Sequence, residues 1–369
     1  MRDIWSKEKA WAWYNSKPWL RGCNFMPSNC VNIVEMWQEE GFETVLATAD
    51  KELALAASTG MNSIRIHFEF IVWQQQHDGF MQRLDRFLQV AWKHGIACML
   101  TLGNDCLSPL DPHFEQPHLG KQKCEFGYHG AVNTSIFSNI DMGRMVGYSP
   151  LDNEETAPQY FEMIRELIET HKNDERVIVW DLYNEPGNSN RLSMTIPNLK
   201  KIFEIAREID PIQPLTACVW RGWNPEGWSE VERFALEQSD IISYHLYENF
   251  EAQVKEIQEL RRYGRPILNT EWLARTFGCT IQNILPLFYL EKIGCWNWGL
   301  VAGRYQSFEP WASAFEQYEK NPNLKYDFTK WFHDLYRPSF RPYDPDEIRI
   351  FQEYTARADK EFLEQRAAD

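Results

Sequence analysis

RVIVWDLYNEP, residues 176–186, is an apolar run that ends in a carboxylate and a proline. Val177 to Trp180 carries no polar side chain, as expected of a strand covered on both faces in a parallel sheet. A charge at the tip of such a strand is costly to bury without a partner or a task. Glu185 therefore marks either an ion pair or a site.

Seven further apolar runs share this look: LRGCNFMP (20–27), SIRIHFEF (63–70), ACMLTLGND (97–105), PLTACVW (214–220), IISYHLYE (241–248), PILNTEW (266–272) and GCWNWGL (294–300). Between them lie stretches with helical periodicity, including 49–59, 80–94, 155–171, 196–208, 228–238, 250–263, 280–292 and 327–336. No two runs are joined by a tight hairpin turn, so the strands are expected to be parallel and linked by helices. Eight such units close into a single (β/α)8 TIM barrel. The whole chain, 1–369, is read as one catalytic domain. Two segments break the rhythm, an insertion at 105–154 after the third strand and an aromatic-rich excursion at 301–326 after the eighth. Long irregular loops usually wall or cover a site, and both leave the strand ends where barrel enzymes keep their chemistry. The two are expected to meet over that mouth, and residues 344–365 read as a further amphipathic helix.

Composition narrows the partners. The net charge of −15 argues against nucleic acid and anionic membrane surfaces. No stretch is long and apolar enough to span a bilayer. The start of the chain has no apolar core of a signal peptide, and the eight cysteines follow no framework spacing, so a reducing cytoplasmic setting is expected. The 16 tryptophans offer many flat apolar faces, of which sugar rings are one kind of partner.

Strand parity places the chemistry. In SIRIHFEF the isoleucines and phenylalanines share one side, and Arg65, His67 and Glu69 share the other. With the apolar side against the helices, that trio points into the barrel. The same reading turns Ser243, His245 and Tyr247 inward, as well as Asn269 and Glu271, and sets Asp181, Tyr183 and Glu185 on one side. Two glutamates, Glu185 and Glu271, then face each other at the ends of strands four and seven. Glycosidic cleavage needs such a pair, one carboxyl holding a proton for the leaving oxygen and one ionised to attack the anomeric carbon. A cation favours the ionised form of a neighbouring acid, so Arg65 is assigned to Glu271 and the proton to Glu185. Trp298 is expected as a sugar platform at the mouth, and Trp296 as packing. Cys106, His113, His118 and Cys124 in the insertion fit no common metal spacing, and neither a metal nor an organic cofactor is expected. His129, His171 and His333 are expected at the surface or as caps.

These motifs together resemble the retaining (β/α)8 glycoside hydrolases of clan A, and family 5 most. The resemblance runs from Arg21 to Trp298. It implies an acid/base at Glu185 within Asn184-Glu185-Pro186 and a nucleophile at Glu271. It also implies substrate-binding roles for Arg65, His245, Tyr247 and Trp298, with Asn184 on the sugar 2-hydroxyl and Tyr247 touching Glu271. The family's histidine at the end of strand three is missing, leaving Asn104 or Asp105 in that place. The peptide after Trp298 is expected to be cis by the same likeness. GCNFMPSN in the first strand is similar to family 2 β-mannosidases.

The implied activity is a retaining β-glycoside hydrolase acting by double displacement on β-1,4-linked oligosaccharides. An exo-β-mannosidase comes first, because the chain resembles cytosolic family 5 enzymes that release mannose from Manβ1-4GlcNAc. Alternatives are an endo-β-1,4-glycanase (cellulase, mannanase or xylanase), a β-glucosidase, a transglycosidase and a non-catalytic carbohydrate-binding barrel.

Overall fold

The structure, a computed structural model, describes residues 1–131 and 145–368. Residues 132–144 of the expected insertion lie outside the described residues. In chain order the elements are α1 (Lys7–Asn15), β1 (Arg21–Asn24), α2 (Ile33–Trp37), α3 (Phe42–Thr59), β2 (Ser63–His67), α4 (Phe70–Gln75), α5 (His77–Lys93) and β3 (Ala97–Asn104). They continue with α6 (Ala157–His171), β4 (Val177–Asn184), α7 (Ile196–Ile209), β5 (Leu215–Thr216), α8 (Glu230–Gln238), β6 (Ile242–His245), α9 (Phe250–Leu260) and β7 (Ile267–Trp272). The last are α10 (Ile281–Leu290), β8 (Gly294–Trp298), α11 (Ala312–Lys320) and α12 (Pro345–Ala368).

Among the described residues, eight parallel strands form one sheet in the order β5-β4-β3-β2-β1-β8-β7-β6. A parallel bridge between Val219 and Tyr244 joins the two ends and makes the sheet a barrel. The chain is a (β/α)8 TIM barrel. The helices that cover it are amphipathic in the expected way: α7, for example, buries Leu199, Ile202, Phe203 and Ala206. Ser229 and Glu232 form a capping box that starts α8. Gly60 ends α3 at φ 100°, where a side chain would also strike Thr355 of α12. Beneath the barrel, Trp5, Ala10 and Tyr14 pack with Met99, Val179, Leu268 and Trp296, so α1 plugs the lower end. No helix is long and apolar enough to cross a membrane among the described residues.

Three expectations are corrected. The 327–336 segment is not a helix: Phe332 N donates to Phe308 O (2.8 Å) and Leu335 N to Leu300 O (2.9 Å), so these backbone bonds go to the stretch 300–308. The helix of that region is α11, upstream of it. The peptide after Trp298 is trans, and Gly299 turns the chain instead with φ 76°. His333 is fully buried and His171 is buried against Asp174, whereas His129 is partly buried on the wall of the barrel mouth.

Candidate active site

The C-terminal strand ends surround a cavity of about 710 Å3, within the range of about 300–1,000 Å3 that ligand pockets occupy. Each side chain arrives there because its strand ends at the mouth with the right parity. Asn24 closes β1, Arg65 and His67 lie on β2, Asn104 closes β3, Asn184 closes β4, His245 closes β6, Glu271 lies on β7 and Trp298 closes β8. Glu185, the next residue after β4, takes φ 46°, the left-handed region that costs a non-glycine residue roughly 1–3 kcal/mol. Such a conformation persists only where its surroundings impose it. Here Asp105 does so: it accepts from Gly187 N (2.7 Å) and Tyr183 OH (2.8 Å), and from Thr195 Oγ1. It also pairs with buried Arg191 at 2.8 Å.

Arg65 is the centre of the polar layer under the cavity. Its guanidinium donates to Asp181 Oδ2 (2.8 Å), Asn24 Oδ1 (2.8 Å), Asn184 Oδ1 (2.6 Å) and Glu271 Oε1 (2.7 Å). Burial works against its charge, but Asp181 and Glu271 more than offset that and raise its pKa. Replacing Arg65 by methionine strands two buried acids. An unpaired buried charge costs about 3–5 kcal/mol, so Arg65→Met is expected to lose at least about 3 kcal/mol of stability in a chemical unfolding titration.

The two glutamates differ in their partners. Glu271 accepts from Arg65 and, at Oε2, from the Tyr247 hydroxyl at 2.7 Å. Glu185 has His245 Nδ1 at 2.7 Å from Oε1, with Cys106 Sγ at 2.9 Å and Asn188 Nδ2 at Oε2. Burial raises the pKa of both; Cys106, Asn188 and Arg65 partly offset it for Glu185, and His245, Arg65 and Tyr247 for Glu271. Of the two, only Glu271 touches the guanidinium, a contact that favours its ionised form over that of Glu185. Burial brings His245 down to about 4, against the pull of Glu271, so its imidazole is neutral at pH 7. One oxygen of each glutamate and a nitrogen of His245 lie within 4.8 Å of one another.

The structure brings His67, Asn104, Asn184, Glu185, His245, Tyr247, Glu271 and Trp298 around one space and sets Arg65 fully buried beneath it, reaching the lining through Asn24, Asn184 and Glu271. It does not bring Glu69 there. Strand β2 ends at His67 and Glu69 is the N-cap of α4, so the alternation that aligned it with Arg65 has ceased. Burial pushes Glu69 up to about 7, away from the cavity. Of the two residues expected in place of the strand-three histidine, Asn104 lines the cavity and accepts from Asn184 Nδ2 (2.9 Å), while Asp105 turns into the Arg191 network. The four cysteine and histidine side chains considered for a metal have separate partners. Cys106 meets Glu185, His113 meets Asp111, His118 meets Glu115, and Cys124 meets the Arg304 carbonyl.

Loops supply groups that strand parity could not reveal. Cys106 and Asn188 flank Glu185, and His129, Tyr305 and Trp311 line the cavity wall. The insertion and the 301–311 loop meet there: Gly127 N donates to Gln306 Oε1 (2.5 Å), Gln306 Nε2 donates to Glu125 O (2.9 Å), and His129 stacks edge-on against Tyr305 at 5.7 Å. The length and aromatic content of 301–326 are the signal that pointed to a wall, though not to which residues form it.

The model of glycosyl hydrolases family 2, TIM barrel domain, matches residues 128–328. No curated protein matches the chain. Similar solved structures include GH5_18 from Streptomyces cattleya in complex with Manβ1-4GlcNAc (11% identity, TM-score 0.56, 92% of this chain and 81% of that one). The endo-1,4-β-mannanase from Rhizomucor miehei is similar over 93% of this chain and 95% of its own, at 14% identity and TM-score 0.56. An exo-β-1,4-mannosidase from Opitutaceae bacterium strain TAV5 is similar at 15% identity and TM-score 0.56, over 93% of this chain but 60% of that one. At these identities the likeness is one of fold.

Proposed function

The chain belongs to the glycosyl hydrolases family 2 TIM-barrel domain family, and from that footing we propose that it is a retaining, exo-acting β-mannosidase that cleaves short β-1,4-linked oligosaccharides. A clan A (β/α)8 glycosidase is the broad assignment. The family 5 likeness remains one of fold.

The observation that carries the proposal is the glutamate pair, with oxygens of Glu185 and Glu271 within 4.8 Å of each other. Retaining enzymes space their carboxyls about 5–5.5 Å apart, whereas inverting ones need roughly 6.5–9.5 Å to admit a water. In the first step Glu271 attacks the anomeric carbon while Glu185 gives its proton to the departing glycosidic oxygen, leaving a glycosyl ester on Glu271. In the second, Glu185 takes a proton from water, the water oxygen attacks the anomeric carbon, and Glu271 departs as a carboxylate. Two inversions give net retention. His245 and Tyr247 hold the pair at its spacing. Asn184, pinned by Arg65 and Asn104, is offered as the contact to the sugar 2-hydroxyl, with His67 and Trp298 on the same ring.

The support for exo action is the contact between the two loops beside the cavity, where Gln306 is tied to Gly127 and Glu125 and its neighbour Tyr305 lines the space; that contact is taken to close one end. A closed end admits a terminal sugar and leaves no room for a chain to run through. The choice of mannose rests on the axial 2-hydroxyl, which is taken to face Asn184, Asn104 and His67 on the cavity lining. The test is a panel of nitrophenyl β-mannoside, glucoside, galactoside and xyloside, followed by Manβ1-4GlcNAc with the product anomer read by NMR. The mannosides are expected to be cleaved fastest, releasing β-mannose first. Rapid mid-chain cutting of a long mannan without release of terminal mannose would overturn exo action and favour the endo-glycanase.

A further inference from the structure

The thiol of Cys106 is open to the cavity, and its sulfur lies 2.9 Å from Glu185 Oε2. It is a placed group rather than a stray one. Cys106 N donates to Asn104 Oδ1 (2.9 Å), which fixes the backbone, while the Asn188 and Asn184 amides donate to Sγ at 3.3 and 3.4 Å. Asn188 Nδ2 also reaches Glu185 Oε2, and His245 holds Oε1. The groups at Oε2 differ in kind. An amide nitrogen only donates, so it serves the carboxylate and opposes the carboxylic acid. A thiol donates weakly through S–H and accepts weakly at sulfur, so it serves both.

We propose that Cys106 is a positioning residue for the acid/base: its thiol aims Glu185 Oε2, accepting the carboxylic proton before cleavage and donating to the carboxylate after it. The inference rests on the reading of Glu185 as acid/base. No bond to sulfur is made or broken in either step. The proton on Glu185 goes to the leaving oxygen and is replaced from the attacking water, while the S–H rotates between the two arrangements. Desolvation and the adjoining Glu185 push the thiol well above its usual range, so it stays protonated throughout. The titratable groups facing Glu185 are Arg65 from β2, Cys106 after β3, Cys218 after β5, His245 and Tyr247 from β6 and beyond, and Glu271 on β7.

The experiment compares Cys106→Ala and Cys106→Ser with the parent enzyme on two forms of the sugar chosen by the glycoside panel. One is the disaccharide, whose leaving oxygen needs a proton; the other is the dinitrophenyl glycoside, whose leaving group does not. Cys106→Ala removes both a weak acceptor for the acid and a donor to the carboxylate; the donor bond is the stronger because it meets a charge, so the pKa of Glu185 rises. The alkaline limb of kcat/KM should then move up by roughly half to one pH unit. Disaccharide cleavage at the optimum should fall about tenfold, with dinitrophenyl glycoside cleavage within about twofold of the parent. Cys106→Ser should return both readouts towards the parent values. An unmoved alkaline limb, or an equal loss on both substrates, would overturn the proposal, the second because it marks a merely structural role. Glu185→Gln separates the two levels of the argument. If it leaves disaccharide cleavage intact, the acid/base reading fails and the inference falls with it. If it abolishes that cleavage while Cys106→Ala changes nothing, only the inference fails.

Discussion

Glu271→Ala is expected to lower kcat by at least ~10⁴-fold, about 5.4 kcal/mol of barrier, on every β-glycoside the enzyme accepts. The side chain removed is the proposed nucleophile, and nothing near it can substitute. Tyr247, hydrogen-bonded to it at 2.7 Å, is held well above its ordinary pKa chiefly by burial, which remains when Glu271 is removed, so it supplies no phenolate. The vacated space takes a small anion, and Arg65 stays in place through Asp181 and Asn184 to attract one. Azide with a dinitrophenyl β-glycoside should therefore restore turnover and release the α-glycosyl azide, the product of one inversion. A β-glycosyl azide from this variant would instead make Glu271 the acid/base and exchange the two roles.

Glu185→Ala should divide substrates by leaving group. A general acid contributes about 10²–10⁴-fold, so disaccharide cleavage should fall by that factor. The first step on a dinitrophenyl glycoside should be nearly unaffected and end in an accumulating glycosyl ester. A pre-steady-state burst of dinitrophenol followed by slow turnover reads this directly. Added azide should then speed turnover and give the β-glycosyl azide, since attack on the ester adds a second inversion. The alkaline limb of the pH profile should vanish with the side chain, because the proton it reports resides on Glu185. Absence of a burst together with an equal loss on both substrate types would count against the assignment.

Much of this was legible in the sequence because a parallel barrel writes itself into the chain twice. Strands buried on both faces read as short apolar runs, and a polar residue interrupting such a run must point where polarity is used. Arg65, Glu271 and His245 were placed by that logic alone. The logic fails where its premise ends. Glu69 lies two residues beyond β2, so its alignment with Arg65 means nothing. Phe328, Trp331, Phe332, Leu335 and Tyr336 have helical spacing, yet only 332–336 are buried, and their backbone pairs with Leu300, Ser307 and Phe308 rather than within itself. His333, next to them, is buried for the same reason. Cys106, Asn188 and His129 come from loops, where no period links position to direction; only the folded chain puts them beside Glu185 or against Tyr305.

One stretch of chain reaches two features at once. Leaving β3 at Asn104, it sets Cys106 against Glu185, then runs outward until Glu125 and Gly127 clasp Gln306. The shape of the cleft and the surroundings of the acid are therefore heritable together. On the proposed reading, a lineage that shortened this loop to let polymers pass through would also discard the neighbour of the proposed acid, and would need a replacement at the tip of β3. Grafting the loop onto a related barrel would move both traits in a single step, which makes it the unit on which divergence between trimming chain ends and cutting chain middles would act.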